Sequence, residues 1–381
     1  MSAPSSNGEQ TNFHRDLPNN VEALDGLRGV AILVVVCSHL RSIVSDDPNF
    51  YELTPWNIVN QLVSRGFLGV DLFFVLSGFL ISSLLLKIDF QGSKHPLRTF
   101  YFHRFLRLFP ALFALLIASF IVSYFEKYPL SDQWATTWPA LLFVSNWNFQ
   151  WNFFNFQVDL VHLWSLAVEE QFYIFWPFIL MSLRLCSIPR WLYFFVLSGA
   201  ITWVCIHRIG LWDSGKSYIF LYSQTDTRID SILVGCLFAF IYRYINFSAT
   251  KVKSMGFIAC VILLPFSYLF ADYSEPLLYK GGFTFIAILI GICILACTTS
   301  ESIATKILRH KALTNLGRMS YGLYLWHMLI FRLSERHLNI GSNSFRILAT
   351  TCFTLLIAQF SWRYIEQPFI NLKNRRFQEF L

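Results

Sequence analysis

The reading of this chain turns on "LDGLRGVAILVVVCSHL", residues 24–40. An arginine opens an apolar run and a histidine closes it. As a helix, the run puts His39 about 16 Å beyond Arg28, at 1.5 Å per residue. In a bilayer that is roughly half the hydrocarbon core of about 30 Å. Ionisable side chains at such depths are costly and face a partner or a cavity. The rest of the chain has to identify the solvent.

The composition identifies it as lipid. Of 381 residues, 55% are hydrophobic and only 14% charged, with a mean hydropathy of +0.48. Soluble domains carry about 25% charged residues. Long apolar runs recur, and the short alternating segments of a membrane barrel are absent. The expected fold is an all-α polytopic transmembrane helical bundle. Residues 1–22 are polar and show no cleavable signal pattern, so they read as a tail. Residues 23–370 then form a single transmembrane domain and 371–381 a basic cytoplasmic tail. The eight cysteines lie mostly in apolar runs, without a CxxC or a His/Cys metal spacing, and read as small core residues.

About ten spans are expected, near 24–42, 67–86, 105–125, 167–185, 191–208, 228–245, 254–271, 280–299, 318–334 and 346–363. The segment 138–149 is short and aromatic at both ends, so it reads as re-entrant or interfacial. Counting it as a span would turn Lys251/Lys253, Lys306/Arg309/Lys311 and Lys373/Arg375/Arg376 outward. Ten spans with both termini cytoplasmic keep these clusters inside, as the positive-inside rule favours. The net charge of +7 then needs no nucleic acid.

Polar residues within the spans point to chemistry. In "FLGVDLFFVLSGFLI", 67–81, Asp71 lies near the outer end, at a depth similar to His39. "VHLWSLAVEEQFY", 161–173, brings His162, Glu169 and Glu170 to the outer side. A carboxylate from either span can orient the His39 imidazole and raise its basicity, as a general base requires. Ser77, Gly78, Gly66 and Gly69 allow close helix approach. At the inner side, "RTFYFHRFLRLFP", 98–110, puts Arg104 and Arg107 on one helix face, with Arg28 on the same side. Arginine pairs bind phosphates through bidentate hydrogen bonds. Two separated sites are therefore expected, a basic entrance inside and a His–carboxylate site near the outside. Each has a plainer reading: charge anchors for the arginines, a packed core for His39, and a cap or solvent contact for Glu169 and Glu170. Arg228 and Asp230, in "DTRIDSILVG", either bind an acceptor or pair across helices. Tyr324 and His327, in "GRMSYGLYLWHMLI", give a second candidate base or a packed core. Glu366, in "WRYIEQPF", reads as structural.

The chain resembles the membrane-bound acyltransferase-3 family of O-antigen, exopolysaccharide and Nod-factor O-acetylases, over about residues 22–370. The resemblance rests on "LDGLRGVAILVVVCSH", "GVDLFFVLSGFLI", "RFLRLFP", "HLWSLAVEEQFYIFWP", "RIDSILVG", "MSYGLYLWH" and "YIEQPF", in family order. It implies transfer of an acyl group, most often acetyl, from cytoplasmic acyl-CoA to a carbohydrate hydroxyl, without a metal. His39 is then the catalytic histidine and Arg28 its companion. Arg104 and Arg107, with Arg28, contact the CoA phosphates, and Asp71 and Glu169 belong to the site. Arg228, Asp230, His162, Tyr324 and His327 are candidates for substrate contact. His39 acts either as base or as acyl carrier. The acceptor is a carbohydrate or lipid-linked glycan, and the setting a bacterial cytoplasmic membrane. The esterase-like C-terminal domain of some members is expected to be absent. The rival reading is a transporter or flippase, which inverted repeats or paired broken helices would favour.

Overall fold

The computed structural model describes residues 15–18, 21–40, 64–88, 95–147, 160–186, 188–270, 272–338 and 342–378, with side chains to 372. Helices α1 (Glu22–Leu40), α2 (Gly69–Lys87) and α3 (Pro96–Phe125) are followed by the short α4 (Leu130–Leu141). Next come α5 (Trp164–Leu185), α6 (Arg190–Asp213), α7 (Tyr218–Ser223), α8 (Thr225–Tyr244) and α9 (Ala249–Phe270). The chain continues through α10 (Phe283–Thr299), α11 (Ile303–Leu308), α12 (Lys311–Arg318), α13 (Ser320–His337), α14 (Asn343–Ser361) and α15 (Gln367–Gln378). Among the described residues all regular structure is helical.

Among the described residues, eight helical segments are long and apolar enough to cross a membrane. The remaining two long helices, α8 and α13, fall at the sixth and ninth expected spans but carry more polar side chains. Large apolar side chains are exposed on the outer helices, among them Phe113 and Ile121 on α3, Trp203 and Ile206 on α6, and Phe257 and Leu264 on α9. Faces of that kind suit lipid tails, because the backbone polar groups are satisfied inside each helix.

Several expected boundaries move. Pro96 starts α3 nine residues before the expected third span, since proline is well suited to the first helical turn. The fifth span was expected to stop at Arg208, but α6 runs to Asp213 and ends ahead of Gly215, whose φ is +83°. Arg208 thereby lies inside the helix and is fully buried. Of the 138–149 segment, residues 138–141 close α4, a helix of 12 residues or about 18 Å, 142–147 leave the helix, and 148–149 lie outside the described residues. Gln133 of α4 bonds Ser119 and Ser123 of α3.

Close packing follows the small residues. A Cβ on Gly78 of α2 would lie 1.9 Å from the Ile232 carbonyl oxygen of α8, and one on Gly235 of α8 would lie 2.1 Å from that of Val75. The two helices thus touch backbone to backbone at both glycines. α1 meets α12 in the same way, through Gly29 and Gly317. α2 is the most buried of the spanning segments. One apolar core joins it to α5, α6, α8 and α10, and a second joins α3, α5 and α13. The polar site lies between these two cores.

Candidate active site

Five helices converge on a cleft of about 100 Å³. α1 brings Arg28, α2 brings Ser77, α3 brings Arg104 and Arg107, α5 brings Ser165, Glu169, Glu170 and Tyr173, and α13 brings Ser320, Tyr321 and Tyr324. The i,i+3 spacing puts both α3 arginines on one face, and the i,i+4 spacing does the same for Glu169 and Tyr173. α13 begins at this cleft, so the positive end of its dipole adds to the arginines.

Three guanidinium groups face two carboxylates here. Arg104 lies 3.5 Å above the Tyr173 ring and 3.8 Å from the Glu170 carboxylate. The second contact is too long for a hydrogen bond, and Arg104 Nε is buried without a partner among the described residues. Arg107 makes no ion pair among the described residues. Arg28 donates to Asp25 at 3.2 Å, and Asp25 also meets Arg318 at 3.7 Å. Ser77 donates to Glu169 at 2.8 Å. The cleft therefore offers unspent guanidinium donors, which suits a ligand bearing phosphate or carboxylate groups.

Adjoining the cleft is a group of aromatic and imidazole rings. The Tyr324 hydroxyl donates to the His162 carbonyl at 2.5 Å and lies 2.6 Å from the Ser165 hydroxyl. The His327 ring is centred 5.0 Å from His162 and 5.1 Å from His39. The two expected sites are thus one continuous polar path. Arg28, at one end of α1, lines the cleft, while His39, at the other end, meets the histidines.

The carboxylates are arranged differently from the sequence reading. Asp71 accepts from Arg228 at 2.7 Å and from Ser231 at 3.0 Å, and both members of the ion pair are fully buried. Asp230 pairs with Arg208 at 2.9 Å, also fully buried. Arg208 further donates to the Tyr279 carbonyl at 3.1 Å. That carbonyl lies in the π-helical turn Leu278–Gly282, where Gly281 has φ +121°, so the arginine satisfies a broken stretch of backbone. Of the two alternatives for Arg228 and Asp230, the structure has them paired across helices. Glu169 and Glu170 line the arginine cleft. Glu366 accepts from Ser361 at 3.1 Å, in keeping with a structural role.

Arg208 escaped the sequence reading because it was assigned to the end of a span. Tyr173 and Ser165 escaped it too, although Tyr173 lies one helical turn beyond Glu169 and so on its face. Residues 43–63, 148–159 and 339–341, in segments that the expected ten-span topology turns outward, lie outside the described residues. Among the described residues no group of three or more His, Cys, Asp or Glu side chains is arranged to hold a metal ion.

Comparison with known proteins adds a family to this geometry. Residues 21–363 match the family model described as an acyltransferase domain. The peptidoglycan O-acetyltransferase OatA of Listeria monocytogenes is 34% identical over 91% of this chain and 55% of its own length. A provisionally named peptidoglycan O-acetyltransferase of Bacillus subtilis, YrhL, is 32% identical over 94% of this chain and 56% of its own. A provisionally named O-acetyltransferase of Staphylococcus aureus strain COL is 32% identical over 92% and 57%. The chain spans a little over half the length of these curated relatives. No solved structure matches it.

Proposed function

The chain belongs to this acyltransferase family, and from that premise we propose that it is a membrane O-acetyltransferase acting on a hydroxyl of a bacterial cell-envelope carbohydrate, with acyl-CoA as the donor. Peptidoglycan is the favoured acceptor, because the relatives above are named for it. The observation that carries the donor assignment is the cleft of Arg28, Arg104 and Arg107, in which Arg107 has no ion pair among the described residues. The orphaned Nε of Arg104 adds a second unspent donor. These groups fit the phosphates of a coenzyme A thioester, which supplies an activated acyl group when bound.

In this reading the arginine end of the path faces the cytoplasm and the His39 end faces outward, as the basic clusters favour. Arg104 and Arg107 bind the phosphates, and Tyr173 keeps the Arg104 guanidinium in place through its ring face. Ser77 holds Glu169 beside the arginines. His39 Nδ1–H donates to the Val35 carbonyl at 2.9 Å, which leaves Nε2 as the basic nitrogen. Nε2 then either takes the proton of the acceptor hydroxyl or accepts the acyl group itself. Asp71, tied to Arg228, supports the packing of α2 against α8 and does not orient the imidazole.

The test is label transfer from acetyl-CoA to a cell-wall or lipid-linked glycan extract by the purified protein in nanodiscs. His39→Ala should abolish transfer while donor binding persists. Folded wild type that neither binds the donor nor transfers label, but moves a glycan across the bilayer, would overturn the reading in favour of a transporter.

A further inference from the structure

The neighbours of His39 are two more imidazoles, held in a way that packing alone does not require. A backbone carbonyl can only accept, so the ring nitrogen bonded to it carries the hydrogen. His327 Nδ1–H is shared between the carbonyls of Leu323 and Tyr324, at 3.1 and 2.7 Å. His162 Nε2–H donates to the Leu325 carbonyl at 3.2 Å. His39 is likewise bonded to Val35 through Nδ1, and the other two rings each keep one bare lone pair. Those on His327 Nε2 and His162 Nδ1 are buried and have no hydrogen-bond partner among the described residues. Leaving a buried acceptor unsatisfied is unfavourable, and two such acceptors on adjoining rings call for an explanation.

We propose that His327 and His162 extend His39 into a three-imidazole cluster that holds one proton during acyl transfer, an inference that rests on the transfer reading above. The ring spacings of 5.1 and 5.0 Å bring the three groups within reach of one shared proton or one bridging water. Two imidazolium charges at that spacing repel, so the cluster takes up protons one at a time. The groups that face it are Tyr324, whose ring is centred 5.2 Å from His162, and Arg332 of α13, whose charge acts on His39. Glu169 acts on Tyr324 from the cleft. α14 meets α13 through the neutral Thr350, bonded to Ser334.

The step balances without any oxidant or reductant. The acceptor O–H bond breaks, its proton goes to His39 Nε2, and the oxygen electron pair forms the new C–O bond. The C–S bond breaks with its electron pair on sulfur, and the cluster returns the proton to that sulfur as a thiol. His327 and His162 touch no reacting atom in this scheme. They act through His39 and are positioning residues.

The deciding experiment is a pH titration of protein labelled with ¹⁵N in its histidine rings, in nanodiscs, followed by NMR. The expected result is that the three rings respond together, each shifting at the midpoint of its neighbours. Three independent midpoints would overturn the proposal. In His327→Gln, which keeps a donor for the carbonyls but cannot carry the proton, the His39 midpoint should move. The acid limb of the kcat–pH profile should move in the same direction, to lower pH, and kcat should fall about 10-fold with donor KM unchanged. His162→Gln is a second variant should the first not fold. A His39 titration and a kcat–pH profile that superimpose on wild type would reduce both residues to packing. Because the NMR coupling needs no turnover, it still decides the proposal if wild type transfers no acetyl group.

Discussion

The hydroxyls of Ser165 and Tyr324 lie 2.6 Å apart at the point where the arginine cleft meets the histidines. Both residues line the cleft, and the Tyr324 hydroxyl also reaches the His162 carbonyl. This contact turns two polar regions at opposite ends of α1 into one path. Tyr324→Phe removes the hydroxyl and leaves the ring. The net loss of such a hydrogen bond is about 1 kcal/mol, so the protein should stay folded. Acetyl transfer should fall about 10-fold in kcat, with donor binding unchanged. Single-turnover transfer alongside equilibrium donor binding checks both parts.

Arg107 should govern donor affinity. A hydrogen bond to a charged group contributes about 1.5–3 kcal/mol, so Arg107→Ala should raise the donor Kd by about 10- to 100-fold. Arg107→Lys should recover only part of this, because an ammonium cannot reproduce a bidentate fork. Calorimetric titration with coenzyme A provides the measurement. Equal affinity in wild type and Arg107→Ala would remove the phosphate site from this cleft.

The sequence made the bundle legible and the cleft half legible, for separable reasons. Span positions follow from apolar run length, a property of the chain itself, so all ten long helices coincide with expected segments. α3 begins before the expected third span and α6 ends after the expected fifth, because Arg98 and Arg208 continue their helices. Arg28, Arg104 and Arg107 were expected together from charge and depth, and all three line the cleft. The carboxylates part company. Depth alone allowed Asp71 and Glu169 equally to meet His39, and only the rotation of each helix separates them. Asp71 turns to Arg228 across the Gly78/Gly235 contact, and Glu169 turns to Ser77 beside the arginines. Helix rotation is set by tertiary packing, which run length and depth do not encode.

The Asp71–Arg228 pair should matter more to stability than to donor binding. Both partners are fully buried, and removing one leaves an uncompensated charge. Breaking such a pair typically costs about 3–5 kcal/mol. Asp71→Leu should therefore lower the thermal midpoint in detergent sharply, while Asp71→Leu with Arg228→Met should recover much of the loss. If the double variant is no more stable than Asp71→Leu, the arginine is not what the carboxylate serves.

Gly235 tests the same seam sterically. Its missing Cβ would sit 2.1 Å from the Val75 carbonyl oxygen, so Gly235→Ala forces α2 and α8 apart. Yield of folded protein and thermal midpoint should both drop, because the contact is with backbone and cannot yield by rotamer change. A control at Gly199, which has open space around its Cβ position, should behave as wild type.

Beyond the end of α3, Glu126 ties that helix to the end of α13. It accepts a hydrogen bond from the His337 ring and lies 3.8 Å from Arg336. The bond from His337, reinforced by the positive charges nearby, holds the Glu126 carboxyl below its ordinary value of 4.5. A carboxyl that is more acidic in the folded state stabilises it at pH values above the unfolded value, and this contribution disappears as pH falls through the folded value. Glu126→Gln should therefore lower the thermal midpoint near neutral pH, and the gap from wild type should close as the solution is acidified below the ordinary carboxylate range. Differential scanning of the two proteins in nanodiscs across that range is the check. Because the partners are near the surface, added salt should narrow the neutral-pH gap as well. A gap that neither acid nor salt changes would mean that the glutamine disturbs packing and that the ion pair contributes nothing.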